Sequence, residues 1–299
     1  MEWVTLKKYV FAVVTVLVWS TTASVVKSLL NGLPDMQALS ISSFLAFAFL
    51  LAVNLWGGSV KSMGRYSAKD YGKMAGLGFL GLFVYSALFY YAVSQLTSQQ
   101  ACVLNYLWPI MIVIFSCPLL KEKLTPVKIA AMACSFIGIV ILTSGIEQGQ
   151  GDGNTTAGII TCVAAAVCYG LFSVLNKKAG FDQKIAMMVI WLTTAVCALA
   201  AGLLTEQWVP MSGIQWLGML WLGVVIDAIA YLLWALALND AENTAAIANI
   251  AYLTPFLSLV VSAVFLKEPI ELTAVAALVF IVGGILLQSF FPVREKKPE

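Results

Sequence analysis

The sequence predicts an all-α integral membrane protein with ten transmembrane helices, arranged as two inverted five-helix repeats. Three observations carry this reading. Hydrophobic residues make up 61% of the 299 positions and charged residues only 11%, where soluble domains hold about a quarter charged residues. With a mean hydropathy of +0.92, so few charges cannot cover the surface of a water-soluble chain this long. Uncharged stretches of about 20 residues, the length a helix needs to cross a bilayer, recur from end to end, and the second half repeats landmarks of the first.

Taken in order, the first span covers residues 9–30. Lys7 and Lys8 precede it and Lys27 lies near its end. It has no small-x-small cleavage site, so it is expected to remain as a helix. The second span covers 36–56. The run from Met74 to Leu120 contains no charge and is too long for one helix. The polar cluster Thr97-Ser98-Gln99-Gln100 offers a turn, which divides the run into 74–95 and 99–120. The remaining spans are 127–145, 156–177, 184–204, 214–238, 243–266 and 272–291.

Lysine and arginine set the expected orientation. Lys7, Lys8, Lys61, Arg65, Lys69, Lys73, Lys121, Lys123, Lys128, Lys177, Lys178, Lys184, Arg294, Lys296 and Lys297 fall on the side of the termini, leaving only Lys27 and Lys267 of the 17 on the other. Both termini are therefore expected in the cytoplasm, with the chain multi-pass in the cytoplasmic (inner) membrane.

A shift of 146 residues sets Tyr106-Leu107-Trp108-Pro109 on Tyr252-Leu253-Thr254-Pro255, Lys121-Glu122 on Lys267-Glu268, and Gly138 on Gly284. A shift of 150 sets Trp19 on Tyr169 and Lys27 on Lys177. The halves are read as 1–146 and 150–299, the second ending in a short cytoplasmic tail. Five spans per half is an odd number, so the second half enters the membrane from the opposite side, a construction common in secondary transporters.

These residues resemble the drug/metabolite transporter superfamily, in particular its ten-helix EamA type. The resemblance rests on Pro109, Glu122-Lys123-Leu124-Thr125 and Gly138, and again on Pro255, Glu268 and Gly283-Gly284. The chain departs from the pattern at Ala131, Ala277 and Pro269. Val18-Trp19-Ser20-Thr21 and Asn105-Tyr106-Leu107-Trp108-Pro109 look like the YddG-type aromatic amino acid exporters. That likeness implies export of amino acids. The superfamily carries many substrates on one scaffold, so fold and substrate transfer unequally.

Composition removes other classes. A net charge of +2 supplies no basic surface for nucleic acid. The chain has no histidine, which removes imidazole bases, ligands and relays. The six cysteines lie in apolar runs without a CxxC pair and read as packing residues. No GxxxxGK[ST] loop is present, so nucleotide is not the direct energy source. No cofactor or metal site is expected. An intramembrane enzyme is disfavoured, because a serine type wants His and an aspartyl type two facing carboxylates. The expected partners are a small-molecule substrate, the bilayer and, as a candidate coupling ion, the proton. A monomer is the default.

Asp227 lies near the middle of the eighth span, where a charge costs at least about 2.5–3.5 kcal/mol. It can offset that by contacting a cationic substrate, accepting a proton, pairing with Lys27 or Lys177, or bonding to a neighbouring helix. Tyr231 and Trp234 follow at helical spacing and share its face, so a carboxylate beside two rings can hold an ammonium group. Exporters of quaternary amines are therefore the alternative to amino acid exporters. Trp19, Asn105, Tyr106, Trp108, Tyr169 and Tyr252 are further cavity candidates, although aromatics also form interfacial belts. Pro109 and Pro255 are expected to kink their spans. Lys27 and Lys177 read as interfacial anchors, and Glu122 and Glu268 as caps of the helix that follows each. Gly76, Gly78, Gly81, Gly218 and Gly223 read as close-packing positions.

Overall fold

The computed structural model describes residues 2–121, 126–144, 154–239, 250 and 253–290, whose regular elements are helices with no strand among them. Among the described residues, seven helical stretches are long and apolar enough to cross a membrane: Tyr9–Leu29, Asp35–Trp56, Ala68–Gln95, Ser98–Leu120, Thr155–Ala179, Gln183–Thr205 and Gly213–Trp234. Two shorter apolar helices, Thr254–Phe265 and Leu272–Gly284, follow. The expected span 127–145 falls on the helix Pro126–Ser144. Most of the segment 243–253, the first part of the expected ninth span, lies outside the described residues.

Several stretches are composite. The first consists of α1 (Glu2–Trp19) and α2 (Thr22–Leu30). Between them the Ser20 and Thr21 hydroxyls donate to the carbonyls of Leu17 and Val18, each at 2.7 Å. Such back-bonding competes with the helix ladder and bends it. Next come α3 (Asp35–Trp56) and the short α4 (Val60–Met63). The third stretch runs through α5 (Ala68–Gly78), a π-helical segment Phe79–Val84 and α6 (Tyr85–Gln95). Thr97 then opens α7 (Ser98–Asn105) with a capping box to Gln100, so the polar cluster is where the chain turns. Further on are α8 (Trp108–Leu120), α9 (Pro126–Ser144), α10 (Thr155–Ala179), α11 (Gln183–Thr205) and α12 (Gly213–Leu220). A second π segment, Trp221–Ala230, leads into α13 (Tyr231–Asn239). α14 (Thr254–Phe265) and α15 (Leu272–Phe290) complete the described chain.

The prolines correct one expectation. Neither stands in the interior of a described α-helix. The chain breaks at Tyr106-Leu107, and Pro109 stands at the start of α8, while Pro255 takes a first-turn position of α14. In a first turn the missing N–H costs nothing, because that donor has no intrahelical partner anyway.

The two halves interleave. α3 lies along α11, α9 along α15, α10 against α6 and α8, and α1 against α13. Four of the five glycines named above sit at such contacts. A Cβ on Gly78 would meet the Ile190 carbonyl oxygen at 2.7 Å, on Gly81 the Phe172 ring at 2.1 Å, on Gly218 Leu29 at 2.7 Å, and on Gly223 the Ser42 carbonyl oxygen at 2.4 Å. Gly76 differs, with no atom within 4 Å of that position.

Charged residues also depart from expectation. Lys27 does not reach outward to an interface. Its Nζ donates to the carbonyls of Val93, at 3.1 Å, and Leu96, so it closes the carboxyl end of α6, where a cation is favoured. Glu268 caps a helix, but not the one that follows it. It accepts from the Ser98 N–H at 3.1 Å and the Ser98 hydroxyl at 3.0 Å, at the amino end of α7. Glu206 likewise accepts from the N–H groups of Met36 and Gln37, at 3.0 and 3.1 Å, at the start of α3. Glu122 lies outside the described residues, and Lys177 is exposed.

Lys121 and Lys267, paired by the 146-residue shift, both adopt left-handed backbone, with φ of 59° and 55°. Few residues other than glycine do so.

Candidate functional site

Mid-span residues from both halves meet around one central cavity of about 110 Å³. Trp19 reaches it from the end of α1, Thr22 and Ala23 from α2, and Tyr85, Ser86, Phe89 and Tyr90 from α6. Cys102 and Asn105 come from α7, Tyr106 from the break, Trp108 from α8, Tyr169 from α10 and Trp191 from α11. The second π segment contributes Leu222, Ile226 and Asp227, followed by Tyr231 of α13 and by Thr254 and Ser258 of α14. Size does not single this cavity out. A wider groove of about 450 Å³ between α2, α12 and α14 is lined without any ionisable side chain.

The helix breaks explain how so many side chains converge. Trp19 and Tyr106 both sit where a helix stops inside a span, which frees them from helical spacing. The π segment before Tyr231 fits more than four residues into its turn. The expected common face of Asp227, Tyr231 and Trp234 is altered as a result. Asp227 and Tyr231 line the cavity while Trp234 does not. Trp234 instead packs behind Trp19, ring centroids 5.4 Å apart.

The rings pack in two groups along the cavity wall. Trp19 lies 5.3 Å and Trp191 5.9 Å from Tyr231, while Tyr169 lies 5.0 Å from Tyr85 and 5.4 Å from Trp108. Asn105 Nδ2 donates to the Tyr85 hydroxyl at 3.1 Å. Four buried polar atoms on this wall make no hydrogen bond to another described residue: Trp19 Nε1, Trp191 Nε1, Asn105 Oδ1 and Thr254 Oγ1. Buried polar groups are ordinarily paired, so this concentration marks a surface suited to a polar ligand.

Asp227 is only 8% exposed, and the Ser42 hydroxyl of α3 lies against its carboxylate. Of the alternatives open to Asp227, the pairing with Lys27 or Lys177 is not formed among the described residues. Lys27 is engaged by α6 carbonyls, Lys177 is exposed, and the one salt bridge among the described residues joins Lys73 to Asp70. No group of ionisable side chains among the described residues has a metal-binding arrangement.

Sequence reasoning passed over Trp191, Tyr90 and Thr254. Trp191 is the clearest omission. It is the one tryptophan in the span 184–204 and only 2% exposed, a position a belt tryptophan does not occupy. Tyr252 lies outside the described residues, and so does the side chain of Pro109. Pro255 is buried behind Thr254.

Known proteins share this architecture. A solved crystal structure superposes with a TM-score of 0.70 at 24% identity, covering 95% of this chain and 96% of its own, a likeness of fold. The aromatic amino acid exporter YddG of Ancylobacter novellus is 27% identical over 93% of this chain and 96% of its own length. An uncharacterized transporter of Clostridium kluyveri is 26% identical over 94% of this chain and 92% of its own length. The EamA-like transporter family matches residues 6–144 and 156–290. With most of its length matched and its helices built for a bilayer, this multi-pass, membrane-embedded chain belongs to the EamA-like transporter family.

Proposed function

We propose that the protein is a secondary transporter that exports amino acids, aromatic and neutral ones foremost, across the cytoplasmic membrane by alternating access. It does so as a monomer with both termini in the cytoplasm, and it is not an enzyme. The observation that carries this reading is the central cavity, where residues of both halves present an aromatic wall, unpaired donors and acceptors, and one carboxylate. Indole N–H groups and the Thr254 hydroxyl suit a substrate carboxylate, Asp227 and Asn105 Oδ1 suit an ammonium group, and the rings suit an apolar side chain.

Two inverted five-helix halves, 1–146 and 150–299, provide the machinery. The two separately matched stretches support that division, as do the paired left-handed lysines. The π segments end immediately before Tyr85 and Tyr231, which are also 146 residues apart. The ring pairs add support, since Trp19 of the first half meets Tyr231 of the second while Tyr169 of the second meets Tyr85 of the first.

Counterflow in proteoliposomes tests the reading. Vesicles holding the full chain are preloaded with a single compound: an aromatic amino acid, an aliphatic one or a quaternary amine. Labelled tryptophan or phenylalanine is expected to enter vesicles preloaded with neutral amino acids. Exchange confined to quaternary amines overturns the amino acid assignment in favour of an organic-cation exporter, the reading that the cavity carboxylate favours.

A further inference from the structure

Among the described residues, no cation is fixed on Asp227. No lysine or arginine occurs in residues 74–120 or 185–266, the stretches that supply most of the cavity. Facing the π segment from its packed neighbours, α2 offers Lys27, committed to the α6 carbonyls. α3 offers Asp35, about two turns from Ser42, and α13 offers Tyr231. α1 brings no ionisable group to the cavity and α12 contains none. Tyr85 and Tyr90 approach from α6 and Tyr169 from α10. Among these, nothing neutralises a carboxylate permanently. Leaving an uncompensated charge at this depth is costly, so its partner is a species that comes and goes.

Two such species fit the surroundings. One is a proton, and with no histidine in the chain the carboxylate is the group suited to carry it. The other is a substrate ammonium, which the rings of Trp19, Trp191 and Tyr231 would also hold through their faces.

We propose that Asp227 is a shared site for which one proton and one substrate ammonium group compete, making transport an exchange of proton for substrate. This rests on the transporter reading above and extends it to coupling. When the ammonium binds on one side, the carboxyl releases its proton to that side. When the substrate leaves on the other, a proton is taken up there. Charge on the carboxylate is thus balanced in both loaded forms, and the empty ionised form is the costly one that should not reorient.

The test uses the full chain in proteoliposomes with the membrane potential clamped at zero. Labelled L-tryptophan and phenyltrimethylammonium are the probes, the second having no proton of its own to exchange. With the lumen more acidic than the bath, the wild type is expected to accumulate a transported probe roughly tenfold per pH unit, the limit for one proton per substrate. Adding probe outside should also make a trapped pH dye report lumen alkalinisation. Asp227→Asn is expected to lose both responses while still exchanging probe at equal pH, with KM raised about tenfold or more. Asp227→Glu should restore the proton response, which a purely structural carboxylate would not predict.

Wild-type exchange at equal pH with neither accumulation nor proton movement overturns the coupling and leaves the transporter reading intact. A proton response that persists in Asp227→Asn overturns the assignment to this residue. If the wild type exchanges neither probe at equal pH, the transporter reading and the coupling fall together.

Discussion

Gly223 leaves no space for a side chain between the second π segment and α3, since a Cβ there would stand 2.4 Å from the Ser42 carbonyl oxygen and 2.8 Å from Leu45. Ser42 is also the residue against Asp227, so the tight contact sets where the carboxylate meets its neighbour. Gly223→Val is expected to destabilise by about 1–3 kcal/mol through overpacking, lowering the thermal midpoint in detergent. Gly76→Ala is the opposite case. Nothing lies within 4 Å of its added methyl, and replacing an exposed helical glycine with alanine should stabilise by up to about 1 kcal/mol. If both variants melt alike, glycine packing is not what holds these helices close. In the sequence these glycines look the same, because spacing alone does not reveal which face of a helix meets a neighbour. The same blindness hid Trp191. A carboxylate at mid-span is conspicuous for its cost, whereas one more tryptophan among nine has an ordinary explanation.

At the scale of elements, the long apolar runs made helix existence legible, and composition said little about where helices stop within them. The break at Ser20-Thr21 depends on hydroxyls donating to their own backbone, a choice open to any serine or threonine. The interruption at Tyr106-Leu107 was visible only through the proline after it, and was misread as a bend. Capping from a distance was not legible at all, because Glu206 and Glu268 serve helices about 170 positions away in sequence. Each such cap should contribute about 0.5–2 kcal/mol. Glu206→Ala and Glu268→Ala are therefore expected to lower the melting midpoint separately, and additively when combined, since they serve different helices. A double variant no less stable than either single one would show that the two caps are not independent.

For the whole molecule, the charge asymmetry makes a claim about sidedness that labelling can check. In a variant lacking the six native cysteines, single cysteines would be placed at Ser59, in the loop after α3, and at Pro210, in the loop after α11. A membrane-impermeant maleimide added to intact cells is expected to modify the Pro210→Cys position and to reach the Ser59→Cys position only after lysis. The reverse pattern overturns the proposed orientation. The proposed repeat rests on a related signal, the landmark prolines, lysines and glycines that coincide under a shift of 146 residues. One difference between the halves is informative. At the 146-residue shift Asp227 falls on Gly81, which presses on Phe172, so the carboxylate has no counterpart and the cavity is chemically lopsided.

The π segments have a further consequence, for chain length. A π turn is an α turn holding one surplus residue, so each of these helices stores slack in the interior of the membrane. Removing one residue from a regular helix such as α3 rotates everything beyond the cut by about 100°, turning lipid-facing side chains inward. Removing one from 79–84, or from 221–226 ahead of Asp227, lets the turn relax to α while the flanking helix keeps its register. The parts of the chain beside Tyr85 and Tyr231 are thus the places where a lineage can gain or lose a residue without unseating the rest of the bundle.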